Sequence, residues 1–306
     1  MVRAWLLTVV EKADITVDVV VALLREQFPQ WAELPVRPVD VDGNDNTSFR
    51  LGGELIVRLP SHERYVLGVE KEHRWLPVLA RLLPLPIPQP VAKGEPSNGV
   101  FPRVWSVYRW LDGETAGIRP PADRVAFAVD VAAFLGALSR IDAAGGPAAG
   151  EQSFWRGASL SRYDRQTRNA IADLGDAIDT EAATSVWDAA LGAPYAKEPV
   201  WLHGDVAQDN LLVRDGRLSA VIDFGTSAVG DPACDTVLAW TFLDGDSRDA
   251  FREHLPVDHD TWVRGRGWAI WKALITLAWN PQARPSFTHE CERVLADVIV
   301  EHQAES

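Results

Sequence analysis

WLHGDVAQDNLLVRDGRLSAVIDFGTSAVGDP, residues 201–232, is the stretch whose reading decides the fold. Three pieces of it carry polar chemistry: His203-Gly204-Asp205, then Asn210, then Asp223-Phe224-Gly225. Between Asn210 and Asp223 lie two short apolar runs, Leu211–Val213 and Leu218–Ile222, on either side of Asp215-Gly216. Asp-Gly between two such runs signals a tight β-hairpin. Folding that ribbon back brings Asn210 and Asp223 together, and both side chains offer oxygen. Mg²⁺ prefers oxygen, keeps several waters, and is held by one or two side chains plus substrate phosphates. Asn210 and Asp223 are therefore the candidate Mg²⁺ ligands. Asp205 is the candidate catalytic carboxylate, placed to accept or orient the proton of an attacking hydroxyl.

An Asp in a loop, an Asn a few residues on and then the Asp of a DFG is the layout of protein kinases, here with HGD in place of HRD. The same stretch resembles the aminoglycoside phosphotransferase family, small-molecule kinases that share the protein-kinase fold. The resemblance is dense over these residues and looser over most of the rest. It implies an α+β, two-lobed protein-kinase-like fold. Residues 1–111 would be the nucleotide-binding N-lobe with a small antiparallel sheet. Residues 112–306 would be a larger, mostly helical C-lobe carrying the catalytic loop and the substrate. The implied reaction moves the γ-phosphoryl of ATP or GTP to a hydroxyl of a small molecule, an aminoglycoside-like antibiotic before others. Alternatives are another antibiotic or a metabolite (macrolide, homoserine or choline type), or a nucleotide-binding protein without catalysis. Macrolide kinases are expected to carry a His at the position of Asn210, which favours an aminoglycoside-like or other polyol acceptor.

Working towards the N-terminus, ITVDVVVALLREQF (15–28) has apolar residues at helical spacing behind Asp14 or Thr16 as N-cap. Pro38–Asp42, Thr47–Leu51 and Leu55–Leu59 read as short strands. No GxGxxG or GxxxxGK[ST] motif occurs. Where kinases place a lysine on the third strand, this chain has Arg58, which keeps the charge but with a different reach and geometry. Arg58 taking the lysine role is one reading; Lys71 doing so, weak or absent nucleotide binding, and a structural strand-edge Arg are the others. The next helix, 69–83, carries Glu72 as the expected partner of Arg58, with Glu70 close enough to be confused with it. Pro77 should kink or split that helix. PLPIPQP (84–90) reads as an extended connection. By the resemblance, Tyr108, Arg109, Trp110 and Leu111 form the hinge that binds the purine edge.

Towards the C-terminus, helices are expected at 123–141, 159–173, 181–191, 246–255, 259–279 and 287–302, with an apolar helix over ACDTVLAWTFL (233–243) and a mobile loop at AAGGPAAG (143–150). Asp231 and Asp235 read as scaffolding, and His203 as the residue that holds the catalytic loop in shape. The Trp-rich stretch 262–279 reads as core, and Arg264 and Arg266 as surface or structural residues. The 306 residues, 47% hydrophobic and 24% charged, are those of a globular protein with room for two lobes. A net charge of −13 argues against nucleic-acid binding and fits a cationic small-molecule partner. Cys234 and Cys291 are too few for a disulfide framework or a four-ligand zinc site. The N-terminal apolar run is too short for a convincing signal peptide, and no stretch is long enough to span a bilayer, so the expected location is the cytoplasm.

Overall fold

The computed structural model describes residues 11–40, 43, 45–280 and 285–305. The chain divides into two compact units, Met1–Arg81 with Ile87–Leu111, and Leu82–Pro86 with Asp112–Ser306. The apolar run at the start of the chain lies outside the described residues, as do Val41, Asp42 and Asn44 of the expected first strand and turn.

In the first unit, α1 (Val17–Gln27) buries Val20, Leu23 and Leu24. Strands β1 (Val36–Pro38), β2 (Asn46–Leu51), β3 (Leu55–Pro60), β4 (Pro90–Gly94) and β5 (Trp105–Arg109) form one antiparallel sheet in the order β1-β2-β3-β5-β4. The period-two pattern of LIVRL points Leu55, Val57 and Leu59 into the core with Phe49, Leu51, Trp105 and the apolar face of α1, and turns Arg58 to the opposite face. Trp105 packs flat over the backbone of Gly94, where a Cβ would lie only 2.0 Å from the ring. The helix expected at 69–83 is α2, Val66–Leu79. Pro77 falls in its last turn, so the hydrogen bond it removes has only two helical residues beyond it, and the helix runs through it to Leu79 rather than splitting.

The second unit holds β6 (Glu114–Thr115), α3 (Arg124–Ser139), α4 (Asp164–Leu174), α5 (Thr180–Gly192), β7 (Val200–Leu202), β8 (Leu211–Arg214), β9 (Arg217–Val221), β10 (Ala228–Gly230), α6 (Leu238–Thr241), α7 (Gly245–His254), α8 (His259–Trp279) and α9 (Pro285–Glu305). Carboxylates cap α3, α5 and α8: the side chains of Asp123, Asp179 and Asp258 accept the N–H groups of Ala126, Ala182 and Thr261. The segment after DFG differs from the single helix expected: Pro232–Val237 is a 3₁₀ turn, and only Leu238–Thr241 is α-helical. The loop 143–150 is likewise not left free. The Val229 N–H donates to the Pro147 carbonyl at 2.7 Å and the Ala149 N–H to the Val229 carbonyl at 2.9 Å, tying it to β10.

Helix α8 is the axis of this unit, buried from Thr261 to Trp271 and packed against α4, α5 and α9. Trp262, Trp268 and Trp271 are core as expected, whereas Trp279 at the helix end is exposed and donates its indole N–H to Asp173 at 2.8 Å. Trp271 donates to Gln166, while Trp262 and Trp240 both donate to the carboxylate of Glu301 on α9, at 2.6 and 2.7 Å. Arg264 and Arg266 are buried structural cations. Arg264 forks onto both oxygens of Asp231 (2.6 and 3.1 Å), and Arg266 donates to Glu305 at 2.8 Å. Among the described residues no helix is long and apolar enough to cross a membrane.

Candidate active site

The hairpin between Asn210 and Asp223 forms as its turn chemistry requires. Arg214 pairs with Arg217 across a two-residue loop, and Asp215 and Gly216 both take positive φ (53° and 78°). That is the turn whose twist matches a strand pair, and it explains Asp-Gly at these positions. At the open end the Ile222 N–H donates to the Asn210 carbonyl at 2.9 Å, so position 210 and the residue before Asp223 are bonded neighbours. Asp223 itself is left-handed (φ 65°, ψ 67°), a conformation that a short polar side chain tolerates better than most.

Strand β7 delivers the chain to His203, which is fully buried. Its Nε2 lies 3.0 Å from the Ile222 carbonyl, and its Nδ1 accepts the Asp205 N–H at 3.2 Å. A carbonyl can only accept, so Nε2 carries the proton and Nδ1 presents its lone pair. The ring meets Phe224 edge-on at 4.7 Å. His203 thus ties the HGD loop to the end of the hairpin, as expected of it. Asp235 grips the same loop from the other side: its two carboxylate oxygens accept the N–H of His203 (2.8 Å) and of Gly204 (2.7 Å). Burial raises the Asp235 pKa above the ordinary carboxylate value, against the opposing pull of His203 and the two N–H donors. Asp235 and Asp231 looked alike in sequence, and no local signal marks the one that holds the loop.

Gly204 sits at φ 87°, and a Cβ there would lie 2.7 Å from the Thr226 carbonyl and 3.1 Å from the Arg156 side chain. Gly204→Ala is therefore expected to displace the loop. The expected result is a loss of about 1–2 kcal/mol in stability from the left-handed backbone alone and a fall in kcat of tenfold or more. Denaturant titration beside steady-state kinetics checks it, and a variant with wild-type values in both would show that the loop is not constrained there.

Asn210 is buried, and its amide Nδ2 donates to the Asp205 carbonyl (2.9 Å) and to Asp205 Oδ2 (3.1 Å). The amide nitrogen is thus spent on fixing Asp205, and Asn210 Oδ1 is the atom left to act as acceptor. One oxygen of Asp205 is held by Asn210, which leaves the other to meet a proton. The oxygen donors of Asn210 and Asp223 suit a hard cation such as Mg²⁺, with substrate phosphates completing its shell. Among the described residues no group of three or more His, Cys, Asp or Glu side chains is arranged to hold a metal without such help.

Inside the first unit, Arg58 and Glu72 lie 3.9 Å apart, both largely buried, and Tyr108 donates its hydroxyl to the other oxygen of Glu72. Burial and the neighbouring Glu72 push the Tyr108 pKa well above its usual value, so the hydroxyl stays a donor. Glu70 is separate from this cluster: it is exposed and pairs with Lys93 at 2.7 Å. Lys71 is buried on α2. The backbone N–H of Arg109 donates to the Gln89 carbonyl and that of Trp110 to the Glu54 carbonyl, both at 2.9 Å, while Arg50 stacks on the Trp110 ring at 3.7 Å. Leu111 ends the unit. Tyr108 as the side-chain partner of Glu72 was not legible in the sequence, because the two residues are brought together only by packing α2 on the sheet.

A family model described as the phosphotransferase enzyme family matches residues 36–272, well over half of the chain. An aminoglycoside 3'-phosphotransferase of Escherichia coli is 34% identical over 79 residues, which are 24% of this chain and 29% of that protein. Among solved structures, the GDP and kanamycin complex of APH(2")-IIia superposes with a TM-score of 0.68 at 22% identity, covering 93% of this chain and 98% of that one. The macrolide 2'-phosphotransferase MphH from Brachybacterium faecium does so with a TM-score of 0.59 at 20% identity, covering 92% and 97%. These likenesses establish the two-lobed kinase-like fold, with the five-stranded antiparallel sheet in one unit and most of the helices in the other. With most of its length matched by the family model, the chain belongs to the phosphotransferase enzyme family.

Proposed function

We propose that this protein is a nucleotide-dependent kinase that phosphorylates a hydroxyl of a small-molecule antibiotic, with an aminoglycoside-like compound as acceptor. The observation that carries the reading is the frame of Asp205, Asn210 and Asp223, three oxygen-bearing side chains fixed by one loop and one hairpin. Asp205 receives or orients the proton of the acceptor hydroxyl through the oxygen that Asn210 does not hold. Asn210 Oδ1 and the Asp223 carboxylate hold Mg²⁺, which when bound neutralises charge on the phosphates. Arg58, fixed by Glu72 and Tyr108, supplies positive charge to the nucleotide phosphates, and residues Tyr108–Leu111 meet its base. The net charge of −13 suits a polycationic acceptor. Solved structures of the same fold include complexes with GDP and kanamycin, with streptomycin and ATP, and with gentamicin. The cytoplasm, where nucleotide is supplied, is the proposed location.

A coupled nucleotide-consumption assay tests this, with Mg²⁺, ATP or GTP, and a panel of aminoglycosides, macrolides and amino alcohols. Turnover with an aminoglycoside, abolished by EDTA and restored by Mg²⁺, is the expected result. Turnover with a macrolide or an amino alcohol alone would reassign the acceptor. Mg²⁺-independent turnover would remove Asn210 and Asp223 from their role.

A further inference from the structure

Beside the Arg58–Glu72 pair, α2 and β5 carry two further polar side chains, His73 and Ser106, that take no part in the proton and metal chemistry of Asp205, Asn210 and Asp223. Ser106 stands directly opposite Arg58 across the β3–β5 ladder, and Tyr108, two residues on, shares its face of the strand. His73 Nε2 lies 2.9 Å from Ser106 Oγ. Ser106 donates in turn to the phenolic oxygen of Tyr108. Tyr108 donates to one oxygen of Glu72, whose other oxygen faces Arg58 at 3.9 Å. Ser106, Tyr108 and Glu72 are buried, whereas His73 is half-buried, within reach of solvent protons. A hydrogen-bonded chain thus runs from a titratable imidazole to the carboxylate that holds Arg58.

A serine hydroxyl has one proton to give. Beside a neutral imidazole with a bare Nε2 it can turn to the ring or to Tyr108. Beside an imidazolium it has no choice: Nε2–H donates to Ser106, and the serine proton goes to Tyr108. Hydrogen bonds in series polarise one another, so the Tyr108 O–H then draws more strongly on the Glu72 charge and Arg58 is loosened from it. The groups facing His73 are Glu70 on its own helix, Lys93 on β4, and Ser106 and Tyr108 on β5, the two rings 6.1 Å apart. Burial first, and Lys93 next, hold the His73 pKa below its ordinary value against the pull of Glu70. We propose that Ser106 and His73 are positioning residues for Arg58, and that nucleotide binds with uptake of a proton at His73. The coupling rests on the reading that Arg58 meets the nucleotide phosphates; the chain of hydrogen bonds does not. Linkage fixes the sign. A phosphate that draws Arg58 from Glu72 leaves a carboxylate in greater need of the polarised Tyr108, so bound nucleotide raises the His73 pKa. Nucleotide affinity is accordingly higher below the His73 midpoint, and the gain is lost as pH rises through it.

The His73 ring resonance, identified by its loss in His73→Gln, is titrated by NMR in the full chain, alone and with saturating Mg²⁺-ADP or Mg²⁺-GDP. Following the ring keeps the nucleotide's own titration out of the reading. Bound nucleotide is expected to raise the midpoint by about half a unit, which linkage equates to about threefold tighter binding to the protonated form. Ser106→Ala and Tyr108→Phe each cut the chain, and each should cancel that shift while nucleotide stays bound. In steady state, Ser106→Ala should raise nucleotide KM by a larger factor than it lowers kcat, as the loss of a group acting on Arg58 requires. A midpoint unmoved by bound nucleotide overturns the coupling. A shift that persists in either variant overturns the chain, because a charge felt directly across space needs neither hydroxyl. If the wild type binds neither nucleotide, the reading of Arg58 falls and the coupling with it. Tyr108→Phe then judges the chain alone: withdrawing the oxygen that Ser106 donates to should lower the His73 midpoint, and an unchanged midpoint overturns it.

Discussion

Asp223→Asn is expected to leave the protein folded and to reduce turnover on the order of a thousandfold or more, the scale on which losing a preorganised charge in the transition state is felt. The substitution is chosen for its backbone. Asp223 sits at φ 65°, and Asn is the residue that accepts the left-handed region as readily as Asp. Ala at the same position would add backbone strain and confuse the two effects. The side-chain shape is retained, so the change isolates the negative charge proposed to hold Mg²⁺. Three measurements check it together: thermal midpoint, kcat, and nucleotide affinity with and without Mg²⁺. The expected pattern is an unchanged midpoint, collapsed turnover, and loss of the Mg²⁺ dependence of nucleotide binding. Asp205→Asn provides the contrast, with turnover equally impaired but Mg²⁺-dependent nucleotide affinity within twofold of wild type. Near-wild-type turnover in Asp223→Asn would show that the metal reading is wrong. An identical pattern in both variants would show that the two carboxylates are not divided between proton and metal.

The second large effect is on stability. Asp231→Ala removes the carboxylate that Arg264 forks onto at bidentate geometry and leaves a guanidinium in a site with both partners under a tenth exposed. Breaking one side of a buried pair costs about 3–5 kcal/mol, because the remaining charge is stranded. The Arg264 donations to the Pro194 carbonyl (2.9 Å) and to Thr261 (3.0 Å) persist but supply no negative charge. Denaturant titration of Asp231→Ala should show that loss. The double variant Asp231→Leu/Arg264→Met, which removes both charges and keeps the volume, should recover most of it. If the single variant loses less than about 1 kcal/mol, the ordinary yield of an exposed pair, the pair is not the buried anchor described. Tyr195 offers a spectroscopic companion. Burial first, and the Asp231 charge next, push its pKa to about 12. Its phenol should therefore titrate at lower pH once Asp231 is gone.

What could be read in advance follows the range of the forces involved. The Asp215-Gly216 turn, the entry into α1 at Thr16 (one of the two positions expected) and the strand over Leu55–Leu59 are set by residues adjacent in the chain, and they stand where they were expected. The union of Asn210 with the end of the hairpin followed from that turn alone. The expected partner of Arg58 also proved to be Glu72 rather than Glu70. Elsewhere the outcome depended on distant chain. Loop 143–150 has the composition of a mobile linker, yet two backbone bonds to Val229 hold it. Pro77 suggested a broken helix, but it falls where the helix was about to end. Asp235 could not be told from Asp231, since its partners His203 and Gly204 lie some thirty residues away. Arg264 and Arg266 looked equally suited to the surface until the acids that neutralise them arrived from other elements.

Glu301 sets a boundary condition on how this protein can be handled or altered. Two buried indoles, from α6 and α8, share its carboxylate. One turn later, Glu305 receives Arg252 and the buried Arg266. A cut made before Glu301 withdraws the acceptor from both tryptophans and the counter-charge from the arginine in a single stroke. The last turns of α9, half-buried to exposed themselves, thus serve the interior from its edge: they must be in place before the middle of α8 is fully neutralised. In a randomised library, the outer turns of α9 that look like a safe place to vary would keep Glu301 fixed as firmly as any residue of the HGD loop.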